Sequence, residues 1–262
     1  MAQIQTTFKR YEKKYLLTPA QYSALSKVLK KNAVPDQYGL STISSLYLDT
    51  DDYRLVRSSI EKPVYKEKIR LRSYGTPSAD DPVFLELKKK YKGVVYKRRI
   101  TLPLKEAEAY LNQGIAPTEA GQIFQEIDWA MKFYTPKPKA LIAYDRLAMT
   151  GKEDPALRIT LDHRIRWRNT EMSLAEGSWG SEILPEGSVL MEVKIAGAMP
   201  LWLAHSLSEQ NVFPVSFSKY GTCYCEYLSG LSGEAFPAGS AEPLCLIWNP
   251  YVTAKSAISK KD

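Results

Sequence analysis

Cysteine and histidine are scarce: 262 residues contain 3 Cys and 2 His. Cys223, Cys225 and Cys245 supply neither an even disulfide framework nor a CxxC pair, which points to a reducing compartment. Cys223 and Cys225 lie in an apolar, helix-like run and read as core packing. His163 and His205 are far apart in sequence, which disfavours a zinc site. No apolar run approaches the length of a bilayer-spanning helix, and the opening MAQIQTTFKRYEKKY has no apolar region of the signal-peptide kind. A soluble, cytoplasmic protein is the expectation. Solenoid-type repeats are absent. The aspartates 49, 51 and 52 crowd together, but their spacing fits no EF-hand loop, and the segment reads as a turn.

What the chain does have is charge and tyrosine. Charged residues make up 25% of it, there are 17 Tyr, and the formal net charge is +7. This is a globular composition with a bias toward anionic partners. The bias is concentrated in residues 64–101, VYKEKIRLRSYGTPSADDPVFLELKKKYKGVVYKRRIT. Here Ile69 and Leu71 alternate with Lys68, Arg70 and Arg72, and Leu85 and Leu87 alternate with Glu86 and Lys88. Val94, Tyr96, Arg98 and Ile100 interleave with Val95, Lys97, Arg99 and Thr101. Period-two alternation gives three strands, each with an apolar face and a charged one, separated by turns at Gly75-Thr76-Pro77 and Gly93.

The remaining elements follow from periodicity and punctuation. A strand is expected over 7–17, a helix over 19–31 behind the Thr18-Pro19 start, and a strand over 42–49. Helices are expected at 103–112 and 119–134, strands at 140–149, 156–168 and 188–197, and closing helices at 200–210 and 216–229. Trp129 and Trp202 sit in amphipathic helices and read as core. Residues 171–187 read as a loop. Residues 1–230 are taken as one domain and 231–262 as a C-terminal tail.

Charged positions that share a parity recur along the whole chain: Glu12, Lys14, Arg70, Arg72, Glu86, Lys88, Lys97, Arg99, Arg158, Arg166, Glu192 and Lys194. So many contributing strands suit an α+β fold, a closed antiparallel β-barrel with a polar interior and helices packed on its outer face. A lumen crowded with Arg and Lys would repel itself unless a polyanion filled it. Arg grips phosphate oxygens in a planar fork and Lys acts as a point charge. The carboxylates suit a hard divalent cation bridging phosphates, and such a site would transfer phosphoryl groups by positioning and charge neutralisation. A nucleic-acid surface is disfavoured, because the basic residues alternate within strands rather than forming exposed runs with stacking aromatics.

The segments RYEKKYLL, SLYLDTDDY, KIRLRSYG, FLELKKKYKGVVYKRR, LIAYDR, LRITLD, LMEVKI and FSKYG together resemble the VTC (polyphosphate polymerase) domain family, within the triphosphate tunnel metalloenzyme superfamily that also contains CYTH proteins. The resemblance runs from residue 10 to 221. It implies an eight-stranded antiparallel tunnel that binds ATP, triphosphate or polyphosphate with Mn2+ or Mg2+. It places Lys14, Arg70, Arg72, Lys88, Lys97, Arg158 and Lys219 on phosphate-gripping positions, with Arg166 favoured among the arginines at 164–168. Arg99 and Lys194 join this substrate-binding set by parity. The resemblance puts Glu192 on the metal-ligand position. Glu12 is a further metal candidate, and Glu86 is either a second metal ligand or a counter-charge. Polymerase members transfer the γ-phosphate of ATP to a growing polyphosphate chain and release ADP.

Two positions depart from the related patterns. Ser216 stands where polymerase members often carry a second basic residue three before Lys219, and Glu12-x-Lys14 is one carboxylate short of the ExExK of CYTH hydrolases. Hydrolysis of triphosphate or short polyphosphate, and a non-catalytic binding module, are the alternatives. The chain resembles stand-alone bacterial members, without the regulatory and membrane-spanning segments of eukaryotic relatives; a membrane-protein partner feeding the tunnel is left open.

Overall fold

The computed structural model describes residues 11–118 and 120–232. The first four residues of the expected 7–17 strand, the segment before it, Cys245 and most of the expected tail lie outside the described residues. The described residues form nine strands and six α-helices. The strands are β1 (Tyr11–Leu17), β2 (Ala33–Asp49), β3 (Tyr65–Tyr74), β4 (Pro82–Tyr91), β5 (Val94–Pro103), β6 (Lys137–Gly151), β7 (Arg158–Arg168), β8 (Ser181–Glu182) and β9 (Val189–Ile195). The helices are α1 (Pro19–Asn32), α2 (Arg54–Ile60), α3 (Leu104–Gln113), α4 (Gln122–Tyr134), α5 (Leu201–Glu209) and α6 (Lys219–Cys223).

The hydrogen-bonded order is β1-β9-β7-β6-β2-β3-β4-β5, with the two-residue β8 added beside β7. The ladders β1–β9, β7–β9, β6–β7, β3–β4 and β4–β5 are all antiparallel. This is the α+β, antiparallel class read from the alternation. The order begins at β1 and ends at β5, and no ladder joins those two strands among the described residues.

The chain divides into two compact units. Of the described residues, the first comprises 11–45, Ser73–Pro77 and Leu141–Val215; the second comprises Leu46–Arg72, Ser78–Ala140 and 216–232. In the first unit, Tyr15 and Leu17 of β1, Ile159 and Leu161 of β7, and Met191, Val193 and Ile195 of β9 form one apolar cluster with Leu25 and Leu29 of α1 and Leu203 and Leu207 of α5. Each fully buried aliphatic side chain contributes roughly 1.5–3 kcal/mol. The start of α1 is fixed by a capping box: Gln21 N donates to Thr18 Oγ1 at 3.2 Å and Thr18 N donates to Gln21 Oε1 at 3.0 Å. In the second unit, Ile69, Leu71, Leu85 and Leu87 are buried on the sheet, and Leu104, Ala107 and Tyr110 of α3 with Phe124, Ile127 and Ala130 of α4 are buried on the helices. Tyr110 and Phe124 meet edge to face at 5.1 Å.

Several boundaries differ from the sequence expectation. β2 starts at Ala33, directly at the C-terminal cap of α1, instead of near residue 42. Its first half carries Pro35 and Gly39 and leaves Val34, Tyr38 and Leu40 exposed, so no buried alternation marks it. β6 likewise starts early, with Pro138 as its second residue. The expected 216–229 helix is broken into α6, a π-helical stretch at Tyr224–Leu228 and a 3-10 turn beginning at Ser229. Trp202 packs against the core of the first unit as expected. Trp129 does not: it is 58% exposed, because Phe124, Ile127 and Ala130 already fill the buried face of α4. Cys223 is buried and Cys225 half-buried. Asp49 is fully buried, where its carboxylate accepts from Leu55 N at 2.8 Å and Val56 N at 3.0 Å and so ties down the first turn of α2. Asp51 binds Lys137 and Lys139, both at 2.8 Å, so the aspartate segment is a structural turn.

Candidate functional site

In the second unit, register turns the alternation of residues 64–101 into rows of side chains. Arg70, Glu86 and Arg99 stand side by side across β3, β4 and β5, and Lys68, Lys88 and Lys97 form the next row. Like charges directly opposite one another destabilise a sheet unless something of opposite sign lies between them. Glu86 supplies part of that. It is 1% exposed, and it accepts from Arg70 Nε at 2.8 Å, Arg99 Nε at 2.6 Å and Lys97 Nζ at 2.7 Å. Burial raises its pKa, but the Arg70 and Arg72 charges and the Lys97 bond outweigh burial and hold it at about 2. Lys97 is pulled the other way: burial lowers its pKa, and the bond to Glu86 only partly restores it. A divalent cation would meet three cationic side chains at Glu86, so its environment is that of a counter-charge.

Residues that the sequence did not single out complete this cluster. Arg70 also donates to Tyr47 Oη at 3.3 Å. Burial raises the Tyr47 pKa, yet Arg70, Arg72 and Lys219 together bring it below the usual phenol value. Tyr47 stacks on Tyr220 at 4.6 Å, and Tyr220 donates to the buried Asp49 at 3.1 Å. Ser218 caps α6 by accepting from Gly221 N and also accepts from Lys68 Nζ at 2.9 Å. The Ser-Lys-Tyr segment is therefore held from both sides, and Lys219 enters the same positive field as Arg70 and Arg72.

In the first unit, Lys14, Glu192 and Thr160 are register partners across β1, β9 and β7, as are Glu12, Lys194 and Arg158. Lys14 Nζ lies 3.5 Å from Glu192 Oε1 and 3.7 Å from Glu12, and Lys194 Nζ lies 3.7 Å from Glu192 Oε2. These are long, loose pairs. Arg158 donates to Thr150 Oγ1 at 3.0 Å. Arg146, not foreseen as a site residue, is bidentate to the buried Asp162 at 2.6 and 2.8 Å. Burial works against its charge, but the Asp162 bonds outweigh it and raise its pKa further.

The parity that favoured Arg166 does not survive the fold. Arg164 takes φ 44° and the β6–β7 register shifts between Ala143 and Asp145, which puts Arg166 on the side of Asp145. Arg166 donates to both Asp145 oxygens at 3.2 Å and to the Ser178 carbonyl, and Arg164 also binds Asp145, at 2.7 Å. Arg168 is spent on the carbonyls of Gly177 and Trp179, both at 2.9 Å.

A divalent cation fits the first unit better than the second. Thr160 Oγ1 is buried without a hydrogen-bond partner, beside Glu192 in register. A buried hydroxyl left unsatisfied costs about 1–3 kcal/mol, so an oxygen-seeking ion there would be favourable. Among the described residues no three or more Asp, Glu, His or Cys side chains form a metal cage.

The sequence pattern of the VTC domain family matches residues 9–227 of this chain. The chain belongs to the VTC domain family. No curated protein has a matching sequence. Solved structures similar to it include a candidate adenylate cyclase from Bacillus halodurans, 16% identical over 79% of this chain and 92% of that one, with a TM-score of 0.49. A candidate adenylyl cyclase from Hippeastrum, described with a dominant triphosphatase activity, is 15% identical over 87% of this chain and 98% of that one, with a TM-score of 0.47. The Mimivirus capping-enzyme triphosphatase is 8% identical over 76% and 88%, with a TM-score of 0.31. No helix among the described residues is long and apolar enough to cross a membrane.

Proposed function

We propose that the protein is a metal-dependent phosphotransferase that builds polyphosphate from ATP. The observation that carries this reading is the pair of cationic rows in the second unit, Arg70–Glu86–Arg99 and Lys68–Lys88–Lys97, whose one carboxylate is already saturated. Such rows suit a linear chain of phosphates rather than one isolated anion. Arg70, Arg72, Lys88, Lys97 and Arg99, with Lys219, bind and align phosphate oxygens. Arg158, Lys14 and Lys194 do the same in the first unit.

Transfer breaks the bond between the β,γ-bridging oxygen and the γ-phosphorus of ATP. It forms a new bond from that phosphorus to a terminal oxygen of the acceptor chain, and ADP leaves with the bridging oxygen. The arginines and lysines neutralise the charge that grows on the transferred oxygens and on the leaving ADP, which is most of what catalysis of phosphoryl transfer needs. Mn2+ or Mg2+, when bound, adds Lewis-acid neutralisation of the phosphate charge. Glu192, with Glu12 and the Thr160 hydroxyl, would hold it. Arg166 is not assigned a phosphate role, because Asp145 and Ser178 occupy its guanidinium.

The purified chain, incubated with ATP and Mn2+, is expected to yield a ladder of polyphosphate on a gel together with ADP. Glu192→Ala should lower this activity by at least about a hundredfold. Orthophosphate release from tripolyphosphate, with no chain product, would replace synthesis by hydrolysis in the same residues. Tight tripolyphosphate binding without turnover in any metal would make the protein a binding module.

A further inference from the structure

The second unit exposes a face that the phosphate-binding rows do not use. Tyr65, Tyr91 and Val94 are register partners on the opposite side of the β3–β4–β5 sheet from Lys88 and Glu86, and Lys89 and Tyr96 pair beside them. The β4–β5 turn is the two-residue Lys92-Gly93, with φ 46° and 85°, so the strands stay paired to the tip. All of Tyr65, Tyr91, Val94 and Tyr96 are exposed there.

Helix α4 extends this face. Trp129 and the 55%-exposed Phe133 stack with ring centroids 5.1 Å apart, and Lys89 and Trp129 line the same shallow depression. Tyr134 and Tyr65 both donate to Glu67 at 2.5 Å, which ties the end of α4 to β3.

The charge left on this face is positive. Glu67 is buried under the two tyrosines and paired with Lys89 at 3.8 Å, Glu126 is bound by Arg98 at 2.7 Å, and Asp128 is bound by Lys132 at 2.7 Å, which leaves Lys92 and Arg54 in excess. Lys92 lies over the Tyr91 ring at 5.4 Å, and Arg54 lies over Phe133 at 5.9 Å. Tyr and Trp rings with one apolar and one polar end, aliphatic tips and long basic side chains around them are what a bilayer headgroup region accepts. A nucleic-acid platform would need free ring faces for bases, but Trp129 and Phe133 cover each other.

We propose that this face seats the protein on the surface of an anionic bilayer. Tyr91, Val94 and Trp129 enter the headgroup region, and Lys92 and Arg54 meet the lipid charges.

The test is co-sedimentation of the full chain with vesicles of phosphatidylcholine, with and without phosphatidylserine. Binding is expected only to the anionic vesicles. It should weaken about tenfold in Tyr91→Ser/Val94→Ser and, independently, several-fold in Lys92→Glu, with melting unchanged because these side chains are at the surface. Vesicle binding should shift tryptophan emission to the blue, and Trp129→Phe should remove that shift. The proposal is overturned by no partition into anionic vesicles, or by equal partition of wild type and variants. Displacement by tripolyphosphate would overturn it too, because the phosphate-binding rows would then be holding the vesicle. So would single-stranded RNA binding that follows the same substitutions while vesicles stay unbound.

Discussion

Glu86 gathers the charges of Arg70, Arg99 and Lys97 on one buried carboxylate. Its pKa is held at about 2 against an ordinary value of 4.5. A depressed folded-state pKa means that the stabilisation is fully present above pH 4.5 and is lost as the pH falls toward 2. At about 1.4 kcal/mol per pKa unit, the contribution is at most on the order of 3 kcal/mol. Denaturant unfolding at pH 5 and pH 3 should therefore show a larger loss of stability in the wild type than in Glu86→Gln. That variant should already be less stable at pH 7. An equal loss in both proteins would mean that Glu86 titrates normally and that the three cations do not depend on it. Thr160 is the complementary case: its hydroxyl has no partner of its own, and nothing in its sequence context, LRITLD, distinguishes it from any other polar strand residue.

Among the elements, α1 shows how a local signal secures a distant packing. Its capping box sets the helix start, and the helix then delivers Leu25 and Leu29 to the core under β1, β7 and β9. Thr18→Ala should cost about 1 kcal/mol and lower the melting temperature by roughly 2–4 °C, with a larger drop showing that the strands beneath depend on the helix. Elements of this kind were legible beforehand. The alternation in β3, β4 and β5 put Arg70, Arg72, Glu86, Lys88, Lys97 and Arg99 on one face of the sheet because a strand has only two faces. What was not legible depends on local exceptions. A left-handed Arg164 leaves no mark in sequence, yet it moves Arg166 to the Asp145 side. Arg146 looks like an ordinary strand residue until register sets it opposite Asp162. Trp129 sits at helical spacing with apolar neighbours, and only the crowding of Phe124 and Ile127 shows that its ring has no room inside.

For the whole molecule, a net charge of +7 and two cationic rows on neighbouring strands favour anionic ligands. A ligand that binds only the folded state stabilises it by about 2.7 kcal/mol at a hundredfold excess over Kd, which for a chain of this size raises the melting temperature by roughly 5–10 °C. Tripolyphosphate should produce such a shift at low ionic strength, and the shift should shrink in high salt as exposed charges are screened. Sulfate at the same concentration should do much less, since one anion spans one row. If sulfate matched tripolyphosphate, the rows would be acting as separate anion sites and the reading of a linear phosphate track would fail.

The two cationic rows share a property of inheritance. Every side chain in them comes from one uninterrupted stretch, Tyr65–Pro103, folded as neighbouring strands, whereas the partners of Glu192 are collected from β1, β7 and β9. A single exchange of that gene segment would replace both rows in one step and leave the Glu192 cluster untouched. A comparable change around Glu192 would require several separate and mutually compatible substitutions. The cationic rows and the Glu192 cluster are thus free to diverge at different speeds within this fold.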